Sequence, residues 1–244
     1  MLKMPYLLCV ALIALAPAWA AEPARSSLPP PPEKSPSQAE AERALALAEG
    51  GDAAAGKAAY EVCSACHLPS GFGRRDGGYP KLAGQHATVL IKQIADIRAH
   101  VRENGGMHSF AMELRGPRDI ADVAAHIESL CIPPGNGRYV MPDADTRIAE
   151  GGRIFDRDCV DCHQPRGQGS KEKSYPMLAG QHYRYLLHQL ADIRDGYRQN
   201  VDPDMVKTIK KHKNGELQSL AAYLAALDTP GTPCGPAPAQ ARKQ

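Results

Sequence analysis

"EVCSACHLP" (residues 61–69) and "RDCVDCHQP" (residues 157–165) each hold the pattern C-x-x-C-H: Cys63, Cys66 and His67 in one, Cys159, Cys162 and His163 in the other. One helical turn sets both sulfurs along one edge and aims the next side chain beyond them. That is the spacing that attaches a haem through two thioether bonds and offers its iron a histidine. A zinc site needs further cysteine or histidine pairs at ligand spacing, and none accompanies either motif. A thioredoxin-like redox pair belongs to a βαβ pattern, which is absent. Two covalently attached haem c groups are expected, with His67 and His163 as iron ligands.

Outward from the motifs the chain repeats itself. "PKLAGQHATVLIKQIADIR" starts at Pro80 and "PMLAGQHYRYLLHQLADIR" at Pro176, and the step of 96 residues is the same from Cys63 to Cys159. Apolar residues at Leu90, Ile91, Ile94 and Ile97, and at Leu186, Leu187, Leu190 and Ile193, mark one helix face. Little alternates as a strand would. The expected fold is all-α, two tandem domains each wrapped around one haem, over residues 52–134 and 147–230. A proline- and glycine-rich stretch at 135–146 reads as the linker, and 231–244 as a flexible tail.

The chain has 244 residues with a formal net charge of +2, which points to neither nucleic acid nor a membrane surface as partner. Only 5% of residues are aromatic, so a haem in each domain would supply core bulk that side chains do not. Residues 1–20, "MLKMPYLLCVALIALAPAWA", show an early lysine, an apolar run and small residues around Trp19. This is the layout of an export signal, with cleavage expected after Ala20 and the mature chain in a periplasm. Cys9 sits too early for a lipoprotein. Residues 21–51 read as a flexible or semi-extended, proline- and alanine-rich leader with a short helix at its end.

Motif order, spacing and duplication together resemble the dihaem cytochrome c4 family, two class I cytochrome c domains in tandem, over residues 52–228. In such domains a proline after the haem motif accepts a hydrogen bond from the ligating histidine, a role the resemblance gives to Pro80 and Pro176. It also implies a crossing of first and last helices at a glycine and an aromatic residue, matched by Gly56, Gly152 and Tyr223. His126 replaces the tyrosine in the first repeat, and Ala59 stands where the second has Phe155. The resemblance further implies an electron carrier rather than an enzyme, a monomer or a complex subunit. Its donor would be a quinol-oxidising complex or periplasmic dehydrogenase, its acceptor a terminal oxidase or another acceptor, with membrane association only through a partner. The rival class is a dihaem peroxidase with one open iron.

A methionine sixth ligand would close each iron. In the second repeat Met205 has the spacing before Tyr223 that the resemblance implies, while Met177 adjoins Pro176 on the histidine side. In the first, "GGMHSFAM" (105–112) offers Met107, His108 and Met112. Counting back from the last helix lands on His108. One residue inserted near Gly116-Pro117 restores Met107, the reading preferred because turns absorb insertions. His86 and His182 could bond a propionate or the other domain, or lie at the surface. Cys131 and Cys234 remain, and an oxidising compartment favours pairing them. Lys207, Lys210, Lys211 and Lys213 form either a solvated face or a docking collar for an acidic partner.

Overall fold

The computed structural model describes residues 33–234, which form one compact unit. The export signal, Cys9 and Trp19, the proline run and residues 235–244 lie outside the described residues. Eleven helices are described: α1 (Pro36–Glu49), α2 (Ala53–Ala59), α3 (Glu61–His67), α4 (Ala87–Arg98), α5 (Gly105–Met112), α6 (Pro117–Ser129), α7 (Ala144–Asp158), α8 (Val160–His163), α9 (Tyr183–Asp195), α10 (Pro203–Ile209) and α11 (Asn214–Ala226). Among the described residues there is no strand, only two isolated bridges.

Each repeat builds its own core from the faces the periodicity marks. In the first, Tyr60, Leu90, Ile91, Ile120, Val123 and Ile127 are buried together where α6 crosses α2 and α4. In the second, Phe155, Leu186, Leu190, Ile209, Leu217, Leu220 and Leu224 fill the equivalent space between α7, α9 and α11. The long last helix of each repeat is amphipathic or fully enclosed because it meets both neighbours.

Two expectations need correction. The helix at the end of the leader is longer than expected and is not loose: residues 36–49 form α1, packed on α4 and α6. Pro36 starts this helix and Gly50 ends it in the left-handed conformation. Ala39 and Ala46, two turns apart, are its buried face, and Glu42 meets Arg98 at 2.9 Å with both side chains nearly enclosed. A docking face made of alanines leaves little hydrophobic signature, so composition alone suggests a leader. Nor are residues 231–234 loose. Cys234 is disulfide-bonded to Cys131, and Ile132 N–H donates to Thr232 O while Cys234 N–H donates to Ile132 O.

Candidate haem-binding sites

Each motif sits at the end of a short helix that the next residue stops. Leu68 and Gln164 adopt φ of 64° and 65°, the left-handed region, turning the chain back under the histidine. The loop is then tied by Gly73 N–H to His67 O in the first repeat and Gly169 N–H to His163 O in the second. These two glycines are required, since a Cβ would lie 2.4 Å from the Pro80 oxygen at Gly73 and 2.3 Å from the Tyr175 oxygen at Gly169. The turn brings the proline carbonyls onto the rings: Nδ1 lies 3.0 Å from Pro80 O for His67 and 3.1 Å from Pro176 O for His163.

A carbonyl can only accept, so Nδ1 carries the proton and Nε2 keeps its lone pair. Burial pulls both histidines below their ordinary pKa, against the opposing pull of the carbonyl bond, and holds the rings neutral. Among the described residues the motif cysteines are the only free thiols. Burial, with the neighbouring thiol in addition, pushes Cys63 up to about 11, and burial with Asp158 pushes Cys159 to about 12. Two unpaired thiols beside a neutral, oriented imidazole are the donor set that covalent haem requires.

The distal candidates occupy matching places. Met107 is the third residue of α5 and Met205 the third of α10; Asn104 and Asp202, the residues before these helices, cap them with their side chains. Leu114 and His212, both buried, follow the two methionines at the same distance. The next helix starts at Pro117 in the first repeat but at Asn214 in the second, so the extra residue lies between Leu114 and Pro117. His108 is turned elsewhere: its Nδ1 bonds Ile97 O at 3.0 Å and its ring stacks on His100 at 3.9 Å. Met112 closes α5 and is 52% exposed.

The helix crossing differs from expectation by one residue. In the first repeat Gly56 is the contact, where a Cβ would lie 1.9 Å from Asp122 O. In the second the corresponding close approach is at Gly151, 2.0 Å from Ser219 O, while Gly152 only touches the Tyr223 ring. The aromatic partner shifts likewise. Tyr60, not Ala59, occupies the place of Phe155: Tyr60 packs on His126 at 5.3 Å and Phe155 on Tyr223 at 5.5 Å. His126 is thus a packed side chain. The step of 96 holds for the cysteines but not for the helix before them, because α7 runs continuously where α2 and α3 break at Tyr60.

His86 and His182 bond the opposite repeat: His86 Nε2 donates to Gln168 O at 2.7 Å, and His182 Nε2 to Phe72 O at 2.8 Å. The linker is pinned at the same place, with Gly137 N–H donating to His182 Nδ1. Beside them, Gln85 pairs with both backbone groups of Met177, and Gln181 with both of Lys81. Along the chain these glutamines are only a repeated residue of the two "LAGQH" stretches, since their partners lie across the interface.

The Cytochrome c family model matches residues 53–131 and 148–228, one stretch per repeat. Cytochrome c4 of Azotobacter vinelandii is 34% identical over 189 residues, 72% of this chain and 90% of that protein. The crystal structure of reduced recombinant cytochrome c4 from Pseudomonas stutzeri is similar with a TM-score of 0.64 at 31% identity, over 73% of this chain and 100% of that one. The thiosulfate dehydrogenase electron acceptor of Stutzerimonas stutzeri (strain A1501) is 34% identical over 171 residues, 67% of this chain and 78% of that protein. From duplicated motifs, oriented histidines and these likenesses together, the chain belongs to the cytochrome c family and, within it, to the dihaem cytochromes c4, with one covalent haem c in each repeat.

Proposed function

We propose that the chain is a periplasmic single-electron carrier in which His67 and Met107 ligate the first haem iron and His163 and Met205 the second. When bound, the haem supplies the one-electron chemistry. The protein holds each imidazole neutral through a proline carbonyl and brings a thioether from a separate helix. The observation that carries the ligand set is the shared position of Met107 and Met205, third in equivalent capped helices, with His108 bonded to Ile97 instead. A thioether on both irons leaves no open position for peroxide, which favours a carrier over a peroxidase.

The near-infrared band of methionine bound to ferric haem tests this, quantified per haem. Two equivalents are expected, and M107A should remove one while H108A removes none. A single equivalent in the wild-type chain would give the first iron to His108. Carbon monoxide binding to the reduced protein would indicate an open iron and overturn the carrier reading.

The partners follow the same reading. The donor is a quinol-oxidising complex or a dehydrogenase and the acceptor a terminal oxidase; the likeness to a thiosulfate dehydrogenase electron acceptor favours a sulfur-compound dehydrogenase as donor. Export through residues 1–20 places the chain on the oxidising side, where the Cys131–Cys234 disulfide is stable. Copurification with an active dehydrogenase would distinguish a bound subunit from a free shuttle.

A further inference from the structure

The two glutamines of the repeated "LAGQH" stretches do more than glue one repeat to the other. Gln181 Oε1 accepts from Lys81 N–H at 2.9 Å, and its Nε2 donates to Lys81 O at 2.8 Å. Gln85 makes the same pair of bonds to Met177, both at 3.0 Å. Each side-chain oxygen also accepts from the following backbone N–H, of His182 or His86, which fixes the amide's orientation. Gln181 and Lys81 are buried, so water does not compete.

The position of these bonds matters more than their number. Lys81 N–H belongs to the same peptide group as Pro80 C=O, which holds His67 Nδ1. Met177 N–H belongs to the same peptide group as Pro176 C=O, which holds His163 Nδ1. Donation from one end of a peptide raises the negative charge on its carbonyl oxygen, because hydrogen bonds in a chain polarise one another. That oxygen then draws harder on the ring N–H, and the imidazole becomes a stronger donor at Nε2.

We infer that Gln181 and Gln85 are crossed positioning residues, each setting the donor strength of the iron-ligating histidine in the opposite repeat. The inference rests on the assignment of His67 and His163 as ligands. It gives the redox pair a structural link on the histidine side: the domain holding one haem supplies the group that tunes the other. Loosening the interface would weaken both crossings together. A partner that shifts one repeat against the other would then move both potentials without touching either iron.

The test is the pattern of response, not its mere presence. Gln181→Met and Gln85→Met keep side-chain length and remove the amide. Reduction potentials assigned to each haem by NMR of partly reduced samples should show Gln181→Met raising the first haem alone and Gln85→Met the second alone. The expected size is about a two- to fivefold change in the oxidised-to-reduced ratio at a fixed electrode potential. The His67 Nδ1–H resonance should move in Gln181→Met and that of His163 should not. A response in the haem of the substituted repeat, an equal response in both, or none would overturn the inference.

Should a variant fail to fold, amide exchange in the wild-type holoprotein decides. Lys81 and Met177 N–H lie outside helices, yet the crossing requires slow exchange of both; exchange at loop rates would overturn it. Fewer than two haems per wild-type chain, counted as the pyridine haemochrome, would instead remove the ligand assignment beneath it.

Discussion

Lys81 and Met177 follow the two histidine-holding prolines, and they differ in what they cost. Lys81 is 6% exposed, and its Nζ donates to Thr229 Oγ1 without an ion partner among the described residues. Burial holds its ammonium down to about 8, from an ordinary 10.5. Below about 8 the lysine is protonated folded and unfolded, and the native state carries the whole desolvation penalty. Between about 8 and 10.5 the unfolded chain binds a proton that the folded chain does not, so this group makes stability rise with pH across that window. Lys81→Met, which installs the second repeat's side chain, should stabilise the fold by ~1–2 kcal/mol at neutral pH and flatten that rise. Guanidinium midpoints at pH 7 and 10 would show it; an unchanged slope would mean the charge is paid for elsewhere. At this scale the cysteines, histidines and prolines were legible because each is used locally. Lys81, Gln85 and Gln181 were not, because their partners are about a hundred positions away.

At the scale of elements, the helix crossing makes the sharpest prediction. Ala at position 151 places a methyl group on the Ser219 carbonyl, a backbone atom that cannot step aside. Ala at position 152 meets only the edge of the Tyr223 ring at 3.2–3.4 Å. G151A should therefore cost about 3 kcal/mol or prevent folding of the second repeat, and G152A less than about 1 kcal/mol. Thermal or denaturant unfolding of the two variants compares them directly, and equal losses would return the crossing to Gly152. A fixed repeat step points to Gly152 in place of Gly151 because the first repeat breaks its helix at Tyr60 and the second does not. The same kind of slip, between Leu114 and Pro117, is what sets Met107 rather than His108 in register with Met205. α1 has no counterpart among the described elements of the second repeat; through Glu42 it braces Arg98, which also donates to the Ala111 and Leu114 carbonyls at the end of the Met107 helix.

For the whole molecule, the two distal helices present different faces. Lys207, Lys210, Lys211 and Lys213 are exposed and make no ion pair among the described residues. The positions that answer to Lys207, Lys210 and Lys211 on the first repeat are Ser109, Met112 and Glu113, with Phe110 and Met112 exposed there. An acidic redox protein should thus meet the second repeat. Its second-order rate with this chain should fall several-fold between about 10 mM and 200 mM salt, and K210E/K211E should lower the low-salt rate by about tenfold. Stopped-flow mixing measures both, and a rate indifferent to salt and to the substitutions would remove the collar.

The sequence by itself determined the chemistry of each half: two C-x-x-C-H motifs, a duplicated helical pattern, two histidine-holding prolines and a short choice of distal ligands. These are local or periodic features, fixed by the reach of one helical turn or one loop. Tertiary structure decided what depends on distant chain meeting in space: α1 docked by alanines, Gly151 at the crossing, His108 turned to Ile97, the Cys131–Cys234 bridge, and the glutamines that grip each other's repeat. A buried polar pair is specific only once both partners are placed, and no pattern along the chain encodes that placement.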